Sequence, residues 1–349
     1  MTELTLARSI TTGLADALAA DDRVVMLGED IGKLGGVFRV TDGLQERFGP
    51  DRVIDTPLAE AGIIGTAVGL AYRGYRPVCE LQFDGFVFPG IDQVITQVAR
   101  MRYRTGGAVS MPITIRVPFG GGIGSVEHHS ESPEAYFAHT PGLRVVACSN
   151  PQDAYSMIRQ AIECDDPVVF FEPKRRYWSK GEVVTDADSV AAAQDAVPPL
   201  GRARVVVPGT DVTLVTYGPL VQTALDAALA AEDDGVSVEV LDLRSLAPLD
   251  EDAVVASVQK TGRVVIAHEA QRFGGLGAEL AATITERCFD RLQAPPLRVT
   301  GHNTPYPPSE YEEHYLPDLD RMLDAVDRAL GLRSHHRPVE DASQQEVDA

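Results

Sequence analysis

The sequence predicts an α/β fold in two domains, each built on a mainly parallel sheet. Three observations predict it. Short apolar runs of strand length alternate with longer segments of helical periodicity, which is typical of parallel sheets covered by helices. The chain has 349 residues, enough for about two domains. A stretch rich in Ala, Asp, Val and Pro interrupts the alternation past the middle.

The first half alternates between the two patterns from the start. Apolar positions three and four residues apart predict helices at residues 4–20, 63–72, 91–103 and 153–163. Short apolar runs predict buried strands at residues 24–27, 77–83, 113–117, 144–148 and 168–171. These elements define a first domain over residues 1–180.

The second half repeats the alternation after an aperiodic stretch at residues 181–209, which we interpret as a linker. Strands are predicted at residues 212–216, 236–241, 264–267 and 297–300, and helices at residues 221–231, 252–259 and 276–287. They define a second, smaller α/β domain over residues 210–333. The polar tail, residues 334–349, is expected to be disordered.

One predicted strand is polar on one face. Glu80, Gln82 and Asp84 alternate with apolar side chains, so they share one side of the strand. A polar face inside an α/β domain needs a partner, and we expect a ligand or another chain to supply it.

Composition limits the partners and the location. The formal net charge is -20, with 44% hydrophobic and 23% charged residues, which argues against nucleic acid or an anionic membrane as partner. Four scattered cysteines form no CxxC pair, which favours reduced thiols. No apolar run approaches the ~18 residues of a membrane span, and no secretory signal is evident. We expect a cytoplasmic protein.

A carboxylate begins an otherwise apolar helix. The segment Asp55-Thr-Pro-Leu-Ala-Glu60 contains a helix-breaking proline, so Glu60 falls in the first turn after the break. Such a residue can simply bond free amides at the helix start. A desolvated carboxylate can also be paired or catalytic. Glycines at helical spacing would let another backbone approach this helix: Gly62, Gly65 and Gly69.

A glycine-rich segment leads to two histidines. Residues 120–124 precede His128 and His129, and neither GxxxxGK[ST] nor GxGxxG between a strand and a helix occurs. The glycines therefore indicate an open loop that presents the histidines more than a phosphate cradle. Adjacent histidines chelate a metal poorly, so proton transfer is the favoured role. The residues alone leave open which histidine points inward.

Together the motifs resemble the beta subunit of thiamine-diphosphate-dependent 2-oxo acid dehydrogenases, in the transketolase-like group. The resemblance runs from about residue 5 to residue 330. Its motifs are Gly28-Glu-Asp30, Gly35-Gly-Val-Phe38, Asp55 to Glu60, Leu81-Gln-Phe83, Asp92-Gln93, His129-Ser-Glu-Ser132, Pro141-Gly-Leu143 and Asp242-Leu-Arg-Ser-Leu246.

The resemblance implies a pyrimidine-binding domain over residues 1–180 and a transketolase C-terminal-type domain over 210–333. It implies a heterotetramer of two alpha and two beta chains, a small 2-oxo acid substrate and a lipoyl-bearing acyltransferase core. Glu60 would bind N1′ of the cofactor's aminopyrimidine, which Leu58, Gln82 and Phe86 would line. His129 would assist acyl transfer to lipoyl. Phe86 stands where the family often has Tyr.

The family also implies metal ions. Its Gly-Asp-Gly motif for diphosphate and Mg²⁺ is absent here, so the alpha subunit is expected to hold Mg²⁺. A potassium ion is expected on the backbone carbonyls of Thr114, Ala161, Cys164 and Asp166.

Two segments bear on the substrate, Ser132 to His139 and Phe170 to Lys174, because both resemble branched-chain members. Pyruvate dehydrogenase and acetoin dehydrogenase are the alternatives within the family. Outside it, a non-catalytic scaffold subunit stays open, whereas a nicotinamide enzyme is disfavoured by the missing fingerprint. Glu131 departs from the Gln usual in branched-chain members, and we expect it to raise the pKa of His129 or to make a structural bond.

Overall fold

Two mainly parallel sheets organise the chain in a computed structural model, which describes residues 1–185 and 197–332. The strands are β1 Thr2–Thr5, β2 Val24–Gly28, β3 Val53–Asp55, β4 Arg76–Glu80, β5 Thr114–Phe119, β6 Arg144–Ala147, β7 Val168–Pro173, β8 Lys180–Val183, β9 Arg204–Val207, β10 Val212–Thr216, β11 Val238–Asp242, β12 Ser245–Ala247, β13 Val264–Gln271 and β14 Leu297–Gly301. The first sheet has the strand order β12-β6-β7-β5-β4-β2-β3 and the second β14-β13-β10-β11-β9, with a separate pair β1-β8.

The helices connect parallel strands, as the alternating pattern predicts. They are α1 Leu6–Ala20, α2 Leu44–Phe48, α3 Glu60–Tyr72, α4 Val87–Gln93, α5 Met101–Arg104, α6 Glu134–Ala138, α7 Pro151–Glu163, α8 Leu220–Asp233, α9 Glu251–Thr261, α10 Leu276–Cys288, α11 Glu312–Tyr315 and α12 Leu319–Leu330. The predicted α/β class with two parallel-sheet units is confirmed.

Local chemistry starts and stops these helices. Asn150 caps α7, because its side chain accepts a hydrogen bond from Asp153 N at 3.0 Å, and Pro151 occupies the first helical position. Asp318 caps α12 in the same way. Gly331, with φ of 73°, ends it in the left-handed region.

The fold differs from the prediction in several places. β4 ends at Glu80, because the chain turns into a 3₁₀ helix at Asp84–Phe86. The predicted helix at 91–103 is divided, with α4 continuing into a π-helical turn at Val94–Val98 before α5. Within the predicted linker, Arg204–Val207 form strand β9 on the edge of the second sheet. The helix α12 has no counterpart in the prediction.

The motif Asp242 to Leu246 joins the two sheets. Strand β12 leaves the second unit and pairs antiparallel with β6 of the first sheet. Arg244 is fully buried and its Nε donates to Asp153 Oδ1 at 3.1 Å. Its two terminal nitrogens donate to the carbonyls of Pro198 and Arg202. This motif therefore joins the two units through strand pairing and buried hydrogen bonds.

Some predictions fall outside the described residues, namely the tail at 334–349 and the part of the linker at 186–196. Among the helices that the structure describes, none has the length and apolar character needed to cross a membrane. The four cysteines are free thiols, as expected, and three of them are buried.

Candidate active site

The predicted site residues lie on loops that follow neighbouring parallel strands. In the first sheet β3, β2, β4 and β5 are adjacent in that order. Glu60 follows β3, Gln82 and Phe86 follow β4, and His129 follows β5. Ligand sites of open α/β sheets form outside the carboxyl ends of the strands. The sheet therefore directs these side chains toward one edge.

Glu60 is the first residue of α3 and is 6% exposed. The residue before it is Ala59, whose side chain cannot cap the helix, so the amides at this end favour a nearby negative charge. α4 packs against this turn: a Cβ on Gly90 would lie 3.4 Å from the Glu60 carbonyl oxygen. The glycine thus permits a close approach of α4 to the backbone at the start of α3.

A second carboxylate, that of Glu29, belongs to the same edge. It follows β2 and is buried, and its Oε1 has no hydrogen-bond partner in the described chain. Burial raises the pKa of Glu29, and the negative charges of Glu60 and Asp30 raise it further. No role was predicted for Glu29, although an acidic residue directly after a buried strand is a signal that could have found it.

The residues predicted to line the pyrimidine differ in their surroundings. Gln82 is half-buried, and its Nε2 donates to the Glu29 carbonyl oxygen at 3.2 Å. Phe86 is also half-buried and packs edge-to-face with Phe83, with ring centroids 5.8 Å apart. Leu58 is 77% exposed. The structure therefore brings Gln82 next to Glu29 but leaves Leu58 largely uncovered.

His129 is the inner of the two histidines. Its ring lies 4.0 Å from Phe83 and 5.3 Å from Phe86, centroid to centroid, whereas His128 is exposed. Burial lowers the pKa of His129, and the charges of His128 and Lys174 lower it further. The imidazole is therefore neutral at neutral pH. Its Nδ1 is buried without a partner in the described residues.

Glu131 does not act on His129 as expected. Of its two expected effects, a raised pKa of His129 is wrong, because that pKa is lowered, whereas a structural bond of its carboxylate stays a prediction. Burial instead raises the pKa of Glu131 itself, with Asp84 the next largest cause. The main chain of Glu131 is held in place by a hydrogen bond, which its N–H donates to Asp84 Oδ2 at 2.6 Å.

A buried ion pair binds the backbone of the segment that carries His129. Lys174 and Asp84 are both buried and form an ion pair. Lys174 Nζ also donates to the His129 carbonyl oxygen at 2.5 Å. The pair therefore holds the backbone on either side of Ser130, since Asp84 binds Glu131 N. The sequence motif ending at Lys174 thus acquires a structural explanation.

The polar face predicted on β4 is satisfied within the chain. Glu80 forms an ion pair with the buried Arg116, which also binds Glu172 at 2.6 Å. Asp84 binds Lys174, as described above. The prediction that this face needs a ligand or another chain is therefore wrong, because cations from β5 and from the end of β7 supply the partners.

The predicted potassium ligands lie around the carboxyl end of α7. Ala161 and Cys164 are at that end, Thr114 begins β5, and the Asp166 carboxylate binds Arg144 at 3.1 Å. Arg76 Nε already donates to the neighbouring carbonyl of Ile162 at 2.8 Å. A guanidinium group thus already donates to a backbone carbonyl at this end of α7. The potassium site stays a prediction. Within residues 1–185 and 197–332, no cluster of three or more His, Cys, Asp or Glu could hold a metal.

Comparison with known families covers most of the chain. The family described as "Transketolase, pyrimidine binding domain" matches residues 2–179. The family described as "Transketolase, C-terminal domain" matches residues 201–322.

Several curated proteins are similar over nearly their whole length. A pyruvate dehydrogenase E1 component subunit beta of Leifsonia xyli is 58% identical over 94% of this chain and 95% of its own. A 3-methyl-2-oxobutanoate dehydrogenase subunit beta of Mycobacterium tuberculosis is 55% identical over 94% of this chain and 92% of its own. Among solved structures, a split-gene transketolase described as an inactive beta4 tetramer has a TM-score of 0.76 at 23% identity, covering 94% of this chain and 99% of its own. At that identity it shows the fold alone.

Proposed function

The chain belongs to the family of 2-oxo acid dehydrogenase E1 beta subunits, with transketolase-type domains, and from this premise we propose that it supplies one half of a thiamine diphosphate site for decarboxylating branched-chain 2-oxo acids. The observation that carries the proposal is the convergence of Glu60, Glu29 and His129 at one sheet edge. The proposed catalytic residues are Glu60 and His129.

The polar groups at this edge fit the cofactor's pyrimidine. A buried carboxylate oxygen of Glu29 and the buried Nδ1 of His129 lack partners in the described residues, and buried polar groups normally have them. When bound, thiamine diphosphate supplies the carbon nucleophile and the electron sink for decarboxylation. Glu60 would hold a proton at pyrimidine N1′, while Gln82, Phe86 and Leu58 would position the ring.

His129 would serve the later step, the transfer of the acyl group to a lipoyl arm. Opening of the lipoyl disulfide requires a proton at the leaving sulfur. A neutral imidazole can exchange protons in both directions near neutral pH. Because the pKa of His129 is lowered, its resting form is neutral, so the ring would first take up a proton and then deliver it to the leaving sulfur. The contacts with Phe83 and Phe86 support the role by fixing the position of the ring.

An alpha subunit would supply the other half of the site, including the Mg²⁺ and diphosphate ligands. Two observations support such a partner. The chain has no Gly-Asp-Gly segment, and α3 has an exposed face that carries Gly62 and Gly69, where a Cβ on Gly69 would meet nothing within 4 Å. We therefore propose the heterotetramer of two alpha and two beta chains, which serves a lipoyl-bearing acyltransferase core. Location in the cytoplasm is part of the proposal, supported by the free cysteines.

The proposed substrate is a branched-chain 2-oxo acid. The segments Ser132 to His139 and Phe170 to Lys174 support it by their resemblance to branched-chain members. Pyruvate is the second candidate, favoured by the 58% identity to a protein named as a pyruvate dehydrogenase subunit. Each methylene buried in an apolar pocket contributes ~1–3 kcal/mol to discrimination, so some activity with pyruvate is compatible with either assignment.

We expect the two-chain enzyme to prefer 2-oxoisovalerate over pyruvate by roughly 10–200-fold in kcat/KM. The measurement is steady-state kinetics with both acids on the same preparation, whose thiamine content is determined in parallel. A preference for pyruvate would assign the enzyme to the pyruvate class and leave the catalytic residues as proposed. A complex that binds no thiamine diphosphate when the cofactor is supplied in excess would instead favour a non-catalytic scaffold.

A further inference from the structure

The histidine loop, residues 120–131, is closed at its base and held at several backbone amides. Gly120 N donates to the Glu131 carbonyl oxygen at 2.9 Å, which brings the two ends of the loop together. The far part of the loop forms the 3₁₀ turn Glu127–His129. The position of His129 therefore depends on how the glycine side of this loop is fixed.

The glycine side forms an anion-binding nest that a side chain of the same protein fills. Gly122 and Gly124 have φ of 85° and 69°, and backbone turns of this kind point successive N–H groups into one concavity. Gly122 N donates to Glu312 Oε1 at 2.8 Å, and Gly124 N donates to Glu312 Oε2 at 3.0 Å. A glycine-rich loop that resembles a phosphate cradle thus binds a carboxylate instead.

Two further contacts complete this attachment. Tyr306 donates its hydroxyl hydrogen to Glu312 Oε1 at 2.6 Å, which orients the buried carboxylate. Gly121 N donates to Glu269 Oε2 at 3.0 Å, and Glu269 Oε1 lies 2.7 Å from the guanidinium of Arg175. Both carboxylates come from the C-terminal half, since Glu269 lies on β13 and Glu312 begins α11.

We propose that Glu312 and Glu269 are positioning residues through which the C-terminal domain sets the place of His129. They accept hydrogen bonds from the backbone N–H groups of Gly121, Gly122 and Gly124. Lys174 binds the His129 carbonyl oxygen at the other end of the loop. The assignment of a task to His129 rests on the proposed function. The attachment of the loop does not, so the two can be tested apart.

The chemistry of the nest explains why a carboxylate is required. Both Glu312 oxygens accept hydrogen bonds from main-chain N–H groups. A glutamine has one acceptor oxygen, and its NH₂ would face an N–H donor. Glu312→Gln therefore keeps the size of the side chain but loses at least one of the two bonds, and charge-assisted bonds to backbone amides are the stronger kind.

The test is hydrogen–deuterium exchange, read by mass spectrometry on the assembled enzyme with its alpha subunit. In Glu312→Gln we expect peptides covering residues 120–131 to exchange about tenfold faster. The matched control is Glu313→Gln, the same change at the exposed neighbour, and its exchange should equal that of the wild type. Glu269→Gln is a second variant, which weakens the contacts of Glu269 with Gly121 and Arg175 and leaves Glu312 in place, so a folding failure of one variant leaves the other to decide.

A functional readout separates positioning from general stability. We expect Glu312→Gln to lower kcat for acyl transfer to lipoyl while decarboxylation with an artificial electron acceptor, and its KM, stay as in the wild type. Wild-type exchange of residues 120–131 in both Glu312→Gln and Glu269→Gln would overturn the proposal. Faster exchange with unchanged acyl transfer would support the attachment and contradict the role proposed for His129.

Discussion

Glu60→Gln in the assembled enzyme is expected to lower the rate of 2-oxo acid decarboxylation by ~10²–10⁴, the usual cost of losing a positioned acid–base group. The change keeps the size of a side chain that is buried at the start of α3. It removes the carboxylate that is proposed to hold a proton at N1′ of the pyrimidine. Folding and assembly should therefore survive while the first chemical step fails.

The measurement is decarboxylation with an artificial electron acceptor, which bypasses lipoyl. Glu46→Gln is the matched control. Glu46 is an exposed residue in the first turn of α2, so the substitution makes the same chemical change at the start of another helix. Cofactor affinity of Glu60→Gln should be measured alongside, so that lost binding is not read as lost catalysis. A rate within about threefold of the wild type, less than 1 kcal/mol in the barrier, would remove Glu60 from the mechanism.

His129→Ala is expected to lower acyl transfer to lipoyl by ~10²–10⁴ and to affect the first decarboxylation much less. The imidazole is neutral, since burial and the nearby charges lower its pKa, and it is held by Phe83 on one side and by the backbone contact of Lys174 on the other. Its loss would remove the group proposed to take up a proton and pass it to the sulfur, and would leave Glu60 in place.

Both steps should be assayed on the same preparation, with formation of the S-acyl dihydrolipoyl group for the second. His128→Ala provides the control, because it removes a ring of the same kind from an exposed neighbour. Unfolding temperatures of the variants report whether the space left between Phe83 and Phe86 destabilises the loop. If His128→Ala abolished acyl transfer and His129→Ala did not, the roles of the two neighbours would be exchanged.

Periodicity predicted the sheets well because the strands are short apolar runs that a parallel sheet buries on both faces. The strand predicted at residues 168–171 is observed as Val168–Pro173 and is buried along its length. The amphipathic helix α12 was overlooked although its buried residues recur at helical spacing, Met322, Val326 and Ala329 among them. In that case the signal was present in the sequence.

Long-range contacts could not be predicted from the sequence in the same way. The polar face of β4 is an alternating strand pattern, and nothing local to it reveals that Arg116 would pair with Glu80 across the neighbouring strand. Likewise, nothing near residue 122 indicates that Glu312 would occupy the glycine nest. Such pairs depend on the order of strands and on the approach of the second domain, which the pattern of one segment does not encode.

In the predicted site, too, some residues could be found from local sequence features, whereas the importance of others depends on long-range contacts. Glu60 and His129 could be singled out from local features and from the resemblance to a family, and the structure places both on loops at the same sheet edge. Glu29 gained significance only from its burial beside Glu60. The lowered pKa of His129 is caused first by burial and then by His128 and Lys174, and burial in the folded chain cannot be read from the residues next to it in the sequence.

The central claim is that this chain carries one half of a thiamine diphosphate site. Titration calorimetry of thiamine diphosphate and Mg²⁺ into the chain alone, and into the chain with its alpha subunit, tests it most directly. We expect tight binding only to the two-chain protein, because this chain has no Gly-Asp-Gly segment for the diphosphate and Leu58 beside Glu60 stays 77% exposed. Micromolar binding to the chain alone would contradict the claim.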